Sequence, residues 1–138
     1  MEQLYAGGLC KAIGVSNHSV SQLSQILRSA KIPPAANQVK FSPFGFDQKL
    51  LDFCNQHGIV TEAYSPLTKG RNLQDDRLRA IAHQYQKSPT QILIRWALQK
   101  GTVVLPKSQN KEHMKENAQV FDFAISAQDM GQLDRFAE

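Results

Sequence analysis

The sequence predicts an α/β fold class in which short parallel strands alternate with helices. Runs rich in β-branched and other apolar residues alternate with segments whose apolar residues recur every three or four positions, the period of an amphipathic helix. Two of the strand runs, "AIGV" and "TVVL", are apolar throughout, as expected of strands covered on both faces. This alternation is typical of a parallel sheet with right-handed crossovers.

Four strands and six helices follow from these patterns. The strands are predicted over 11–16, 35–41, 59–65 and 102–107. The helices are predicted over 19–31, 47–57, 74–86, 88–100, 110–118 and 126–136. Because no Pro-, Gly- or Ser-rich linker divides the chain, we predict a single domain over residues 1–138.

Capping residues support the predicted helix boundaries. Ser19 is followed three residues later by Gln22, and Ser88 is followed in the same way by Gln91. Each pair matches a capping box, in which two backbone N–H groups at the start of a helix are satisfied reciprocally. Gly58 follows the second helix, where a left-handed residue commonly ends a helix.

The composition argues against nucleic-acid and membrane functions. Hydrophobic residues make up 41% of the chain and charged residues 20%, as in an ordinary globular protein. The net charge is +4, but the basic residues are scattered among acidic ones and no nucleic-acid-binding motif is present. No apolar run approaches the ~20 residues that span a membrane, and the N-terminal segment lacks the order of a secretory signal. We therefore expect neither nucleic acid nor membrane as a partner.

The cysteines and histidines predict neither a disulfide nor a metal site. Cys10 and Cys54 both stand beside apolar residues, which favours buried free thiols in a reducing, cytoplasmic compartment. The four histidines and two cysteines show no metal-ligand spacing.

Polar side chains lie in or directly after each predicted strand. They are Ser16, Asn17, Gln38, Tyr64, Ser65, Lys107 and Ser108. Parallel strands bring their carboxyl ends to one edge, and in a β/α barrel this edge carries the active site and often a phosphate site after a late strand. We therefore expect these residues to meet at one edge.

Four segments in order, "KAIGVSN", "NQVKFSPF", "FCNQHGIVTEAYSPL" and "VVLPKSQNKEHMKENAQVFDFAIS", closely resemble the second half of the aldo-keto reductases. The resemblance covers essentially the whole chain. It implies the second half of a TIM (β/α)8 barrel, with four parallel strand–helix units plus a C-terminal helix. It also implies an oxidoreductase that uses NADPH to reduce aldehydes or ketones, with a small carbonyl compound as substrate.

The resemblance assigns the nicotinamide end of the cofactor to four residues. Ser16, Asn17 and Gln38 would hydrogen-bond the carboxamide, for which their hydroxyl and amide groups offer donors and acceptors. Tyr64 would stack on the nicotinamide ring. The alternative for Ser16 and Asn17 is helix capping, and for Tyr64 it is core packing.

The resemblance assigns the phosphates to residues of two later loops. Ser65 and Leu67 would cover the pyrophosphate, although "SPL" is also an ordinary turn. Lys107 and Ser108 would bind the 2′-phosphate of NADPH. The alternative for Lys107 is a solvated cation.

One residue expected near the adenine of the cofactor departs from the family pattern. Glu116 and Asn117 would hydrogen-bond the adenine, although their helix also fits a solvated surface. The family commonly has an arginine six residues after the lysine, where this chain has His113. Histidine supplies little charge near neutral pH and cannot make the bidentate phosphate contact of arginine. We therefore expect NADPH to be preferred through Lys107, with NAD also possible as a cofactor.

The resemblance places all catalytic residues of the family before this segment, so no catalytic residue is predicted. Neither Tyr5 nor Tyr85 matches the catalytic position. Three interpretations stay open: a truncated product or incomplete gene model of a reductase, which we favour; a half-barrel completed by a second chain or by self-association; or a non-catalytic NADP(H)-binding or regulatory remnant. A different phosphate-binding barrel, such as an isomerase or aldolase, would not need Asn17, Gln38 and Tyr64 as well.

Overall fold

The computed structural model describes residues 1–137, which contain seven α-helices and four strands. The helices are α1 (Glu2–Ala6), α2 (Val20–Ser29), α3 (Gln48–Gln56), α4 (Asp76–Gln84), α5 (Pro89–Gln99), α6 (Lys111–Ala118) and α7 (Ala127–Leu133). The strands are β1 (Val15–Ser16), β2 (Ala36–Lys40), β3 (Val60–Tyr64) and β4 (Val103–Leu105). The predicted α/β class is confirmed.

The chain divides into two compact units. Unit 1 consists of Met1–Val39 and Asp47–Glu62, and unit 2 consists of Lys40–Phe46 and Ala63–Glu138. The single domain predicted over residues 1–138 stays a prediction.

Unit 1 is built on the parallel pairing of β1 and β2. Val15 lies opposite Asn37 and Ser16 lies opposite Gln38, and the sheet continues from β2 to the start of β3. The core beneath this sheet contains Leu23, Cys54 and Ile59, all at most 2% exposed. Apolar side chains packed around them are Val15, Leu27, Leu50 and Phe53.

Unit 2 has an aromatic core centred on Trp96, and the end of β3 is followed in its sheet by β4. The ring of Trp96 is fully buried and stacks on Phe41 at a centroid distance of 5.1 Å. Phe46 meets the same indole edge-on at 5.0 Å. The indole N–H donates a hydrogen bond to Asp134 Oδ1 at 2.8 Å, so its polar group is satisfied inside the core.

The capping predictions are confirmed. Both Ser19 with Gln22 and Ser88 with Gln91 form reciprocal capping boxes at the starts of α2 and α5. Gly58 follows α3 with φ of 67°, a conformation that glycine adopts without steric cost.

Within residues 1–137, the apolar strands are covered only in part. Val60, Val103 and Leu105 are 46%, 47% and 39% exposed. The next residue along is buried in β3 (Thr61) and half-buried in β4 (Val104), because successive residues of a strand point to opposite faces. Each of these strands is therefore packed on one face, and its other face is left open by residues 1–137.

The strands and one thiol also differ in detail from the predictions. The first predicted strand is reduced to two residues and the last to three, because few backbone pairings form at the sheet edges. Cys10 and Cys54 are both free, but only Cys54 is buried. Burial raises the pKa of the Cys54 thiol above its ordinary value.

Residues 1–137 contain neither a membrane-spanning helix nor a cluster of metal ligands. No helix in this range combines the length and apolarity of a membrane span. No three His, Cys, Asp or Glu side chains in the same range lie close enough together to hold a metal ion.

Replacing Leu23 by alanine should lower the free energy of unfolding by about 2–5 kcal/mol, because the fully buried side chain leaves a cavity in the core of unit 1. Leu9→Ala is the matched control. Leu9 is 79% exposed, so its truncation should change stability by less than about 0.5 kcal/mol. Urea denaturation measures both values, and equal losses would contradict this account of the core.

Candidate functional site

The first group of predicted site residues lies at the ends of β1 and β2 in unit 1. Ser16 Oγ donates to the carbonyl of Gln38 at 2.9 Å, and Asn17 Nδ2 donates to Ser16 Oγ at 3.2 Å. The backbone N–H of Asn17 donates to the same Gln38 carbonyl at 2.9 Å. The register of β1 on β2 therefore brings Ser16, Asn17 and Gln38 together, as the sequence predicts.

The Gln38 side chain is oriented by a residue that the sequence analysis missed. Gln38 Nε2 donates to Glu62 Oε2 at 2.8 Å. This contact uses one N–H of the Gln38 amide and orients that amide. The second N–H and the acceptor oxygen of the same amide are not used by this contact. A signal existed in the sequence, because Glu62 is an acidic residue inside an otherwise apolar or neutral strand.

Two of the predicted residues have a left-handed backbone conformation, which is uncommon for serine and more frequent for asparagine. Asn17 follows β1 with φ of 56°, and Ser65 follows β3 with φ of 51°. The left-handed region is costly for residues with a Cβ atom, and such strain concentrates at functional sites. Both strands thus turn sharply at their carboxyl ends, where the predicted residues lie.

The second group of predicted residues lines one cavity of unit 2, here called the distal cavity, with a volume of about 180 Å³. Its lining is Leu67, Leu73, Thr90, Lys107, Ser108, His113, Glu116 and Asn117. Lys107 forms no ion pair or side-chain hydrogen bond with the described residues, so its charge is available to a ligand. Leu73 and Thr90 were missed: no motif marks Leu73, and the capping box that contains Thr90 predicts only the start of a helix.

Local hydrogen bonds explain how α6 presents its residues to the distal cavity. Asn110 caps the helix, since its Oδ1 accepts from the N–H groups of Glu112 and His113 at 2.8 and 3.3 Å. The preceding Ser108 makes a local turn with Asn110, whose N–H donates to Ser108 Oγ at 3.1 Å. These contacts fix the first turn of α6, including His113, beside the end of β4.

Asn117 carries an unsatisfied polar atom in the distal cavity. The residue is 8% exposed, and its Oδ1 is buried without a hydrogen-bond partner in the described chain. A buried amide oxygen without a partner costs roughly 1–3 kcal/mol, and in a native protein it calls for an explanation such as a ligand or water. The atom is a ready acceptor for a ligand N–H group.

A second cavity of about 340 Å³, here called the linking cavity, shares Leu67 and Lys107 with the distal cavity. Its lining is Ser65, Pro66, Leu67, Lys69, Leu105 and Lys107. It therefore connects the predicted pyrophosphate loop to the predicted 2′-phosphate lysine. Lys69, which was not predicted, adds a second cation to this path.

Tyr64 and Ser65 line a third cavity of unit 2, here called the large cavity, with a volume of about 490 Å³. Its lining is Lys40, Ser42, Phe44, Tyr64, Ser65, Thr68, Lys69, Arg71, Asn72, Phe136 and Ala137. Ser65 and Lys69 also line the linking cavity, so the two cavities are adjacent. Tyr64 is half-buried here.

The predicted residues thus fall into one group in each unit. Ser16, Asn17 and Gln38 are hydrogen-bonded together in unit 1. Tyr64, Ser65, Leu67, Lys107, Ser108, His113, Glu116 and Asn117 line the three cavities of unit 2. Their assignments to parts of a cofactor stay predictions.

Comparison with protein families and curated proteins gives a consistent result. Residues 1–138 match the family model described as the Aldo/keto reductase family. The chain is 43% identical to glyoxal reductase of Bacillus subtilis (strain 168), a match that covers 97% of this chain and 49% of that protein. It is 41% identical to aldose reductase B of Dictyostelium discoideum, covering 97% of this chain and 44% of that protein. The chain therefore spans about half the length of these curated relatives.

Solved structures agree with the sequence comparison. The crystal structure of Gox0644 in its apo form matches with a TM-score of 0.94 and 37% identity, over 99% of this chain and 51% of that one. The Bombyx mori aldo-keto reductase, solved in complex with NADP, matches with a TM-score of 0.91 and 31% identity, over 99% of this chain and 48% of that one. The predicted second half of a barrel is confirmed.

Replacing Ser65 by glycine should relieve the left-handed backbone, because glycine adopts a positive φ without steric cost. Ser24→Gly is the matched control inside α2, where glycine costs roughly 0.5–1 kcal/mol. We expect Ser65→Gly to be at least about 1 kcal/mol more stable than Ser24→Gly in urea denaturation. Equal destabilisation of the two variants would show that Ser65 is unstrained.

Proposed function

The chain belongs to the aldo/keto reductase family, and we propose that it supplies the NADP(H)-binding part of an oxidoreductase that reduces aldehydes or ketones to alcohols. When bound, NADPH would supply the hydride for this reduction. The residues described below would hold the cofactor and fix its orientation.

One observation carries the proposal: the residues expected to hold the adenosine 2′-phosphate and the adenine line a single small cavity. Lys107 offers an unpaired cation for the phosphate, and a lysine ammonium is a common phosphate ligand. The orphaned Oδ1 of Asn117 offers an acceptor for the exocyclic amine of an adenine. The side chains present therefore fit the group.

The linking cavity supports the same path for the pyrophosphate. Leu67 and Lys107 belong to both cavities, so a ligand in the distal cavity can extend towards Ser65 without leaving the surface lined by these residues. Lys69 adds positive charge where the pyrophosphate would lie. Backbone groups and two lysines would then bind the phosphates.

The hydrogen-bonded group of unit 1 would hold the carboxamide of the nicotinamide. Gln38 is fixed by Glu62, and Ser16 with Asn17 is fixed by the carbonyl of Gln38. A preorganised set of amide and hydroxyl groups restricts the rotation of the nicotinamide ring. Hydride transfer requires this restriction. Tyr64 would supply the stacking surface.

We assign no catalytic role to any described residue. The Tyr85 hydroxyl donates to Asp129 Oδ2 at 2.5 Å and accepts from the N–H of Ser126 at 2.9 Å, so it is committed to holding α7. The half-length match to the curated relatives supports catalytic groups contributed by another barrel half, in the same protein, a second chain or another copy. The open faces of Val103 and Leu105 are available for such a half.

We also propose a reducing, cytoplasmic location. Its support is that Cys10 and Cys54 are both free thiols, one of them fully buried. Such thiols persist where glutathione and thioredoxin keep cysteines reduced.

Lys107→Gln should weaken NADPH binding by about tenfold, because a charge-assisted hydrogen bond contributes roughly 1.5–3 kcal/mol. NADH lacks the 2′-phosphate, so its affinity should change by less than about twofold by the same reasoning. Calorimetric titration of the wild-type chain should show NADPH bound more tightly than NADH. Lys111→Gln, on the exposed side of α6, is the control and should change neither affinity. A clear preference of the wild-type chain for NADH would contradict the role of Lys107.

The isolated 138-residue chain should show no carbonyl-dependent oxidation of NADPH with small aldehydes, because no catalytic residue is assigned to it. A chimaera that joins the N-terminal half of the B. subtilis glyoxal reductase to this chain should restore the reaction, measured by the absorbance of NADPH. A chimaera that binds NADPH but stays inactive would favour the non-catalytic remnant. A robust rate from the isolated chain would show that its own residues include the catalysts.

A further inference from the structure

We propose that the large cavity of unit 2 is a second anion site, which binds a small organic molecule carrying a carboxylate or phosphate group on an apolar body. Three of its lining residues, Lys40, Ser42 and Arg71, have no role in the proposed dinucleotide site. With a volume of about 490 Å³, the cavity is within the range of small-molecule sites.

The charge of the cavity is positive and uncompensated among the described residues. Lys40, Lys69 and Arg71 line it, and none of the three forms an ion pair or a side-chain hydrogen bond within residues 1–137. No carboxylate belongs to the part of the lining that the structure describes. Cations that line one cavity repel one another, and a bound anion relieves this repulsion.

The acidic residues closest in sequence to Arg71 are Asp75 and Asp76, which pair with other arginines. Asp75 pairs with Arg77 at 2.9 Å and caps α4 through the N–H groups of Arg77 and Leu78. The hydrogen bond from the Arg77 side chain holds the pKa of Asp75 below its ordinary value. Asp76 faces Arg79 at 3.7 Å. Neither of these carboxylates pairs with Arg71.

Two buried hydroxyl groups in the cavity lack partners. Ser42 is 1% exposed, and its Oγ has no hydrogen-bond partner in the described chain. The same is true of Thr68 Oγ1. Hydroxyl groups are flexible donors, and buried ones are normally satisfied by protein, water or a ligand. Ser42 and Thr68 line the same cavity, so an anion bound there would offer acceptors to these hydroxyl groups.

The loop that carries Thr68 and Lys69 is held in a strained conformation. Their φ values are 50° and 57°, both in the left-handed region. Consecutive left-handed residues with side chains cost free energy that the remaining structure must offset, and this pattern is found at ligand clamps. The strained residues lie beside the unpartnered hydroxyl and the cations.

Aromatic rings define the apolar part of the proposed ligand. Phe44 packs on Phe136 at a centroid distance of 5.3 Å, and both line the cavity. The Arg77 guanidinium lies 4.4 Å from the Phe136 centroid, which holds this ring in place. A ligand of the size of a substituted benzene can therefore place its ring on Phe44 and its anionic group near Lys40 and Ser42.

The first experiment titrates the full 138-residue chain with phenyl phosphate, benzoate and benzyl alcohol, monitored by chemical-shift changes in the NMR spectrum. At least one of the two anions should bind about tenfold more tightly than the neutral alcohol, because each charge-assisted contact is worth about that factor. If phenyl phosphate binds more tightly than benzoate, the cavity is a phosphate site. If benzoate binds more tightly, it is a carboxylate site. Equal affinity for benzyl alcohol, or no binding of either anion at millimolar concentration, would overturn the proposal.

Variants separate this cavity from the dinucleotide path. Lys40→Gln and Ser42→Ala should each lower the affinity for the preferred anion by about tenfold. The control Lys111→Gln should leave that affinity unchanged. Lys107→Gln should leave the affinity for the same anion unchanged while weakening the binding of NADPH. If Lys107→Gln weakens the anion and Lys40→Gln does not, the anion occupies the dinucleotide path and the proposal fails. Far-UV circular dichroism of each variant confirms that it is folded.

Discussion

The side chain of Gln91 is the contact on which the distal cavity depends. Its Oε1 accepts from the N–H of Ser88 at 3.0 Å, which completes the capping box of α5. Its Nε2 donates to the carbonyls of Glu116 and Gln119 at 3.3 and 2.9 Å, at the end of α6. One buried amide thus joins the start of α5 to the end of α6.

This linkage explains why Asn117 can keep an unsatisfied oxygen. A free helix end would rotate until the amide met water, but α6 is fixed at its last turn by Gln91 and at its first turn by Asn110. The free energy of those contacts offsets the cost of an orphaned acceptor, which leaves it preorganised for a ligand. The capping motif that predicts α5 from sequence therefore also positions the ligand cavity.

Local rules predicted the capped starts of α2 and α5, because the relevant forces act within a few positions. Capping boxes depend on residues three apart, and the polar residues after each strand depend on the shared direction of parallel strands. Glu62, Thr90 and Lys69 could not be assigned in this way, since their roles come from contacts between distant segments. Coverage of the strand faces could not be judged from an apolar run for a related reason: such a run indicates a preference for burial, and another part of the fold must provide it.

The positions of the lysines show how a small net charge can still produce strong local anion sites. Lys87 and Lys100 are mostly buried and pair with aspartates at 2.6 and 2.7 Å, so they serve the packing of unit 2. Lys40 and Lys107 line cavities and form no ion pair within residues 1–137. The net charge of +4 therefore does not describe the local charge: Lys40, Lys69, Arg71 and Lys107 all line cavities beside the ends of strands. Because hydroxyl and amide groups without partners line the same cavities, an anion meets both charge and directed hydrogen bonds there.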